Sequence, residues 1–263
     1  MLTDTHCHLD FNSFDQDRDQ VISRAQNDGL TRLLNPGITV ESSRAAIDLA
    51  EKYSEVYAAV GVHPNDGLSW DKDSKAILRD LASQPKVVAI GEIGLDYYRD
   101  RTRHDLQMRI FQEQLNLAAE LNLPVVVHCR QAMEDVKAIL SEWQNGLVRS
   151  QSPLAGHPGV LHSFSGDEKD AEQFRKINFL VGITGPVTFQ NAIELQDLVI
   201  RLPLTDLLIE TDAPFLTPHP FRGKRNEPAR VKLVAEKIAE LQQEAYNTVA
   251  EITASNAAQL FGW

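Results

Sequence analysis

At 263 residues, 43% hydrophobic and 24% charged, the chain is long enough to bury a sizeable core. This composition excludes a disordered chain, and two cysteines, Cys7 and Cys129, exclude a disulfide scaffold and read as reduced thiols. A net charge of −11 excludes a broad electrostatic grip on nucleic acid, so a polyanionic substrate must be held locally.

Short apolar runs alternate with longer stretches of helical periodicity. The first run, 1–8, ends in "TDTHCHLD", where Asp4, His6 and His8 alternate and share one strand face while Cys7 turns away. An amphipathic stretch, "DQDRDQVISRAQNDG", leads to the second run, 31–36, and "VESSRAAIDLAEKYSE" leads to the third, 56–63, which ends at His63. The fourth run, 87–94, carries Glu92 near its end, and the fifth, 124–129, carries His128. Runs 160–165, 179–184 and 207–212 follow, bringing His162, Glu210 and Asp212, and a helical tail, "TVAEITASNAAQLFGW", closes the chain. Eight such alternations predict an α/β fold, a single-domain (β/α)8 TIM barrel over 1–263, with a doubly wound open sheet as the alternative. The polar residues favour the barrel, because they fall at the carboxyl ends of the runs, where barrel enzymes gather their chemistry. The apolar runs are all too short to span a membrane, and the start of the chain lacks a basic region followed by an apolar stretch. A cytoplasmic protein with no membrane partner is expected.

His6 and His8 side by side are half of a metal site or, read alone, a hydrogen-bonded pair of core histidines. The other strand ends decide between these. Four histidines and two carboxylates converging on one pole of a barrel are a density of ligand types that neutral structural roles do not need, which points to a metal centre. Glu92, at the end of an apolar strand, must be paired, coordinated or protonated.

The stretches "TDTHCHLD", "GVHP", "GEIGLDYYR", "QLNLAAELNLPVVVHCR", "HSFSG", "LLIETDAPFLTP" and "RGKRNEP" together resemble the successive signatures of the TatD family of metal-dependent deoxyribonucleases, in the amidohydrolase superfamily. The resemblance spans nearly the whole chain. It implies two divalent cations, with His6, His8 and Asp212 on one, His128 and His162 on the other, and Glu92 bridging both. His157, followed by "PG", looks like a loop residue. Mg²⁺ is the ion implied, and the histidine-rich ligands also suit Zn²⁺, Mn²⁺ or Ni²⁺. Glu92 and Asp212 carry the catalysis in this reading, Asp212 taking the proton of an attacking water. Glu210 either orients a ligand or is a buried acid bonded to backbone.

For substrate, "PFRGKRNEP" offers Arg222, Lys224 and Arg225, with Arg225 and Asn226 placed by the family signature to donate to phosphate oxygens. Arg99, Arg101 and Arg103 in "YYRDRTR" read mostly as a solvated face; His63 is set to contact substrate or to brace Pro64, and Tyr97 to stack on a base or to pack. The resemblance implies 3′ to 5′ exonuclease action on single-stranded DNA, extending to RNA. The alternatives are removal of a D-amino acid from the 3′ end of aminoacyl-tRNA, a small-molecule amidohydrolase, and a metal-binding scaffold without turnover. A monomer is the default.

Overall fold

Period-two alternation in the apolar runs is what builds the barrel of the computed structural model, which describes residues 1–99 and 101–263. The chain runs β1 (Leu2–Asp4), α1 (Arg18–Asn27), β2 (Leu30–Pro36), α2 (Val40–Lys52), β3 (Val56–Val60), α3 (Ser74–Leu81) and β4 (Val87–Asp96). It continues through α4 (His104–Leu121), β5 (Val125–Arg130), α5 (Met133–Arg149), β6 (Gly159–Leu161), α6 (Glu168–Lys176), β7 (Phe179–Ile183), α7 (Ile193–Arg201), β8 (Leu207–Ile209), α8 (Val231–Gln242) and α9 (Tyr246–Phe261). The eight strands are parallel and pair in sequence order. Backbone bonds from Thr5 N to Ile209 O (3.2 Å), Asp212 N to His6 O (2.9 Å) and His8 N to Ala213 O (2.7 Å) join the two outer strands, closing the (β/α)8 barrel.

Successive side chains of each strand go to different cores. Leu33, Ala58, Val125, Val127, Leu161, Leu207 and Ile209 pack outward in the layer shared with the helices. Leu34, Ala59, Val126, Val160 and Leu208 belong to a second, inner cluster, which Leu260 and Phe261 at the end of α9 complete. Stepping two residues onward along this inner row reaches His128 from Val126, His162 from Val160, and Glu210 then Asp212 from Leu208. Thus the pattern that makes the core also aims these polar groups into the barrel mouth.

Element limits differ from the apolar runs. Regular pairing in β1, β3, β6 and β8 stops before His8, His63, His162 and Asp212, so these residues stand just past the strands rather than in them. β4 instead runs on to Asp96, and between the pairs Ile90–Val125 and Ile93–Val127 two residues, Gly91 and Glu92, oppose the single Val126, a bulge that re-aims Glu92. Gly94, at φ 138°, lies where a Cβ would fall 2.0 Å from the His128 carbonyl oxygen, so only glycine lets β4 run this close to β5.

Candidate active site

The donor atoms meet at the carboxyl ends of the strands. His6 Nε2 is 3.2 Å from His8 Nε2 and 3.3 Å from Glu92 Oε2. Asp212 Oδ1 lies 3.6 Å from His8 Nε2, 3.7 Å from His162 Nε2 and 3.9 Å from His6 Nε2. On the other side of Glu92, Oε1 is 2.9 Å from His128 Nδ1 and 3.6 Å from His63 Nε2. Asp212 takes a left-handed φ of 55°, a conformation Asp tolerates, where the chain leaves β8.

This set fits divalent cations. Ligands about 2.1 Å from one ion stand roughly 3.0–3.4 Å apart, close to the spacings around His6 Nε2. Three overlapping groups form: His6, His8 and Asp212; His6, Glu92 and His162; His63, Glu92 and His128. Glu92 joins two of them, as a bridge would. His128 and His162, expected on one ion, fall in different groups.

The outer nitrogens sort the histidines by role. His162 Nδ1 donates to Glu210 Oε2 at 2.9 Å, which turns Nε2 toward the cluster, the orientation a carboxylate gives a metal-binding histidine once Nε2 is deprotonated. Glu210 also accepts from Ser163 N at 3.0 Å, so it is a partner of His162 and of backbone together. His63 Nδ1 accepts from Asn65 N at 3.0 Å, so the neutral ring carries its proton on Nε2, facing the cavity as a donor. Burial pushes the His63 pKa down to about 3, keeping the ring neutral. Burial also opposes charge on His162, but the Glu210 carboxylate outweighs it and raises that ring to about 9. Burial works against ionised Glu92 and Asp212 too, yet the surrounding imidazoles hold both carboxyls below their usual range.

Above this floor opens a cavity of about 600 Å³ walled by Arg99, Arg101 and Arg130 on one side and Phe11, Phe215 and Leu216 on the other.

The TatD related DNase family, compared with the chain, matches residues 3–262. The chain belongs to the TatD family. It is 43% identical over 261 residues, 99% of each chain, to the "Uncharacterized metal-dependent hydrolase YabD" of Bacillus subtilis (strain 168). It is 38% identical over 267 positions, 99% of each chain, to the "3'-5' ssDNA/RNA exonuclease TatD" of Shigella flexneri serotype 5b (strain 8401). Among solved structures, that of YjjV, a TatD homologue from Escherichia coli K12, superposes with a TM-score of 0.91 at 32% identity, covering 100% of this chain and 98% of that one. The protein is thus a metal-dependent hydrolase of the TatD family.

In this TatD protein the cations at the mouth are not those the sequence favours. Arg225 stands outside the cavity lining; its guanidinium grips both Asp17 carboxylate oxygens at 2.7 Å and the Ser13 carbonyl at 2.6 Å. Asn226 is fully buried and donates to the carbonyls of Thr211 (2.9 Å) and Phe215 (2.7 Å). Arg222 and Lys224 lie over the Phe189 and Phe221 rings. Arg99 and Arg101, read mostly as a solvated face, are exposed and also wall the cavity. The reason is Asp96, whose Oδ1 accepts from Tyr98 N and Arg99 N at 2.9 Å and folds the segment after β4 back over the mouth. Arg103 is exposed as well, away from the cavity lining, and pairs with Asp105 at 2.8 Å. Tyr97 packs: its hydroxyl donates to Asp135 at 2.6 Å and its ring stacks on His104.

Sequence reasoning missed Asp96, Arg130, Phe11 and Phe215. Asp96 Oδ2 takes the Nδ2–H of Asn65 at 2.8 Å and faces His128 Nε2 at 3.3 Å, joining the turns after β3 and β4 to the Glu92 cluster. The readable signals were "GLD", two residues beyond Gly94, and "HCR", two beyond His128.

Proposed function

We propose that this hydrolase cleaves phosphodiester bonds from the 3′ end of single-stranded DNA, and of RNA, with two divalent cations at the Glu92 cluster. The observation that carries this reading is a cationic collar, Arg99, Arg101 and Arg130, over a floor of metal-ligand donors, on a body of charge −11. Such a mouth attracts phosphate locally and has no extended basic surface to hold duplex. The Shigella relative described as a 3′-5′ ssDNA/RNA exonuclease supports the same substrate.

Cations held there supply Lewis acidity, activating a water and neutralising charge that develops on the phosphate. This chain's residues do the rest. His6, His8 and Asp212, with His162 beside them, would hold one side and His128 the other, with Glu92 between them. Asp212, its carboxylate ionised and open to the cavity, takes the proton from the attacking water. His63 Nε2–H donates to a substrate oxygen, and the arginines orient the phosphate. Arg225 and Asn226 act indirectly, by fixing the loops they bond.

A metal-titrated digestion comparing end-labelled single-stranded DNA with D-aminoacyl-tRNA, with Asp212→Asn as blank, tests this. Progressive shortening from the 3′ end is the expected result. Deacylation that leaves the DNA whole would refute it.

A further inference from the structure

We infer that Phe215, backed by Phe11, is a stacking platform for the base of the 3′-terminal nucleotide. This deepens the exonuclease reading and rests on it. Phe215 is 51% exposed at the mouth of the cavity, an unusual position for a large apolar ring. Its neighbours meet it at steep angles: Phe11 at 6.0 Å and 75°, His8 at 6.5 Å and 65°. Among the described residues no ring stacks on its face, so that face is presented to a ligand. Phe11 in turn stacks on His8 at 4.7 Å and 17°, tying the aromatic wall to the metal-ligand floor.

The wall is held firmly where the chemistry needs it. Phe215 N donates to Asp212 O at 2.7 Å, and buried Asn226 holds the Phe215 carbonyl. The segment carrying Phe11 is pinned from two sides, by Arg18 donating to the Phe11 carbonyl at 3.2 Å and by Arg225 on Ser13 and Asp17. The "RGKRNEP" loop therefore serves substrate through two phenylalanines. In strand order the aromatic wall belongs to β8 and β1, half a barrel turn from the arginines that follow β4 and end β5. A base on Phe215 lies on one side of the Glu92–Asp212 floor, with the cationic collar for upstream phosphates on the other. A paired internal base already has both faces stacked and cannot be offered to the platform, which makes the site a reader of free or frayed ends.

The test uses two oligodeoxynucleotides of one sequence, one ending in an ordinary 3′ nucleotide and one in an abasic 3′ residue, with Mn²⁺ or Mg²⁺ present. Wild type should prefer the base-bearing end by at least about fivefold in kcat/KM, from the usual worth of one base–aromatic stack. Phe215→Ala should collapse that ratio to about one, and Phe215→Trp should restore it. A merely structural role would lower both rates in proportion and keep the ratio. Shortening by wild type that ignores the base, or a ratio unmoved by Phe215→Ala, would overturn the platform alone. No shortening of either oligonucleotide by wild type would overturn the exonuclease reading and the platform with it.

Discussion

Gly182→Ala should injure this site without touching any proposed metal ligand. A Cβ at position 182 would fall 2.2 Å from Glu210 Oε1, 2.3 Å from Cδ and 2.4 Å from Oε2, so the whole carboxylate occupies the space a methyl group needs. Elsewhere the end of a long side chain swings aside at small cost. Glu210 is fully buried and accepts from His162 Nδ1 and Ser163 N, so it cannot move without leaving both donors. Hydrogen bonds to a charged group contribute about 1.5–3 kcal/mol each, so losing both costs about 3–6 kcal/mol before relaxation. At roughly 2–4 °C per kcal/mol for a chain of this size, even 3 kcal/mol lowers Tm by about 6–12 °C. Calorimetric melts of wild type, Gly182→Ala, Glu210→Ala and the double variant, all in chelator, isolate the contact. The added methyl should cost far less once Glu210 is gone, with a coupling of about 1–3 kcal/mol. Strictly additive costs would show that the carboxylate is not what the methyl meets, and the reasoning would fail.

Glu92→Gln and Asp212→Asn should each abolish hydrolysis while the circular dichroism spectrum and the cooperative melt persist, because the two hydrophobic clusters contain neither residue; near-normal turnover in either would refute the proposed chemistry. Chelation should lower Tm in a manner reversed by Mn²⁺ or Mg²⁺: a cation at 100 times its Kd adds about 2.7 kcal/mol, or roughly 5–11 °C, and a Tm indifferent to metal would argue against the ligand set. Asp17→Ala should reproduce the kcat/KM loss of Arg225→Ala, since Arg225 works through its ion pair; an Asp17 variant of normal activity beside a crippled Arg225 variant would mean that Arg225 meets phosphate directly. Asn226→Ala leaves the Thr211 and Phe215 carbonyls without their donor and should cost about 1–3 kcal/mol in a denaturant titration, with no effect marking the bonds as dispensable.

The barrel and its floor were readable from sequence because both follow from one local rule, the alternation of a strand. His128 and His162 stand two residues past inner-row valines, and no long-range knowledge is needed to point them inward. The walls obey no such rule. Arg225 looked like a phosphate ligand because its partner, Asp17, is 208 positions away in sequence and invisible to any local pattern. Arg99 and Arg101 are exposed as read, but that they also line the mouth depends on a turn closed by Asp96, at the end of a strand that runs two residues farther than its apolar run. Phe11 and Phe215 carried no polar signal at all, and only the fold shows that their rings reach the mouth.

The seam between β1 and β8 also dictates when the centre can exist. His6 and His8 are synthesised more than two hundred residues before Asp212, whose amide bonds the His6 carbonyl. At about 5–20 residues per second, the two halves of this ligand group are separated by some ten to forty seconds of synthesis. The proposed ligand group is therefore complete only once β8 has closed against β1.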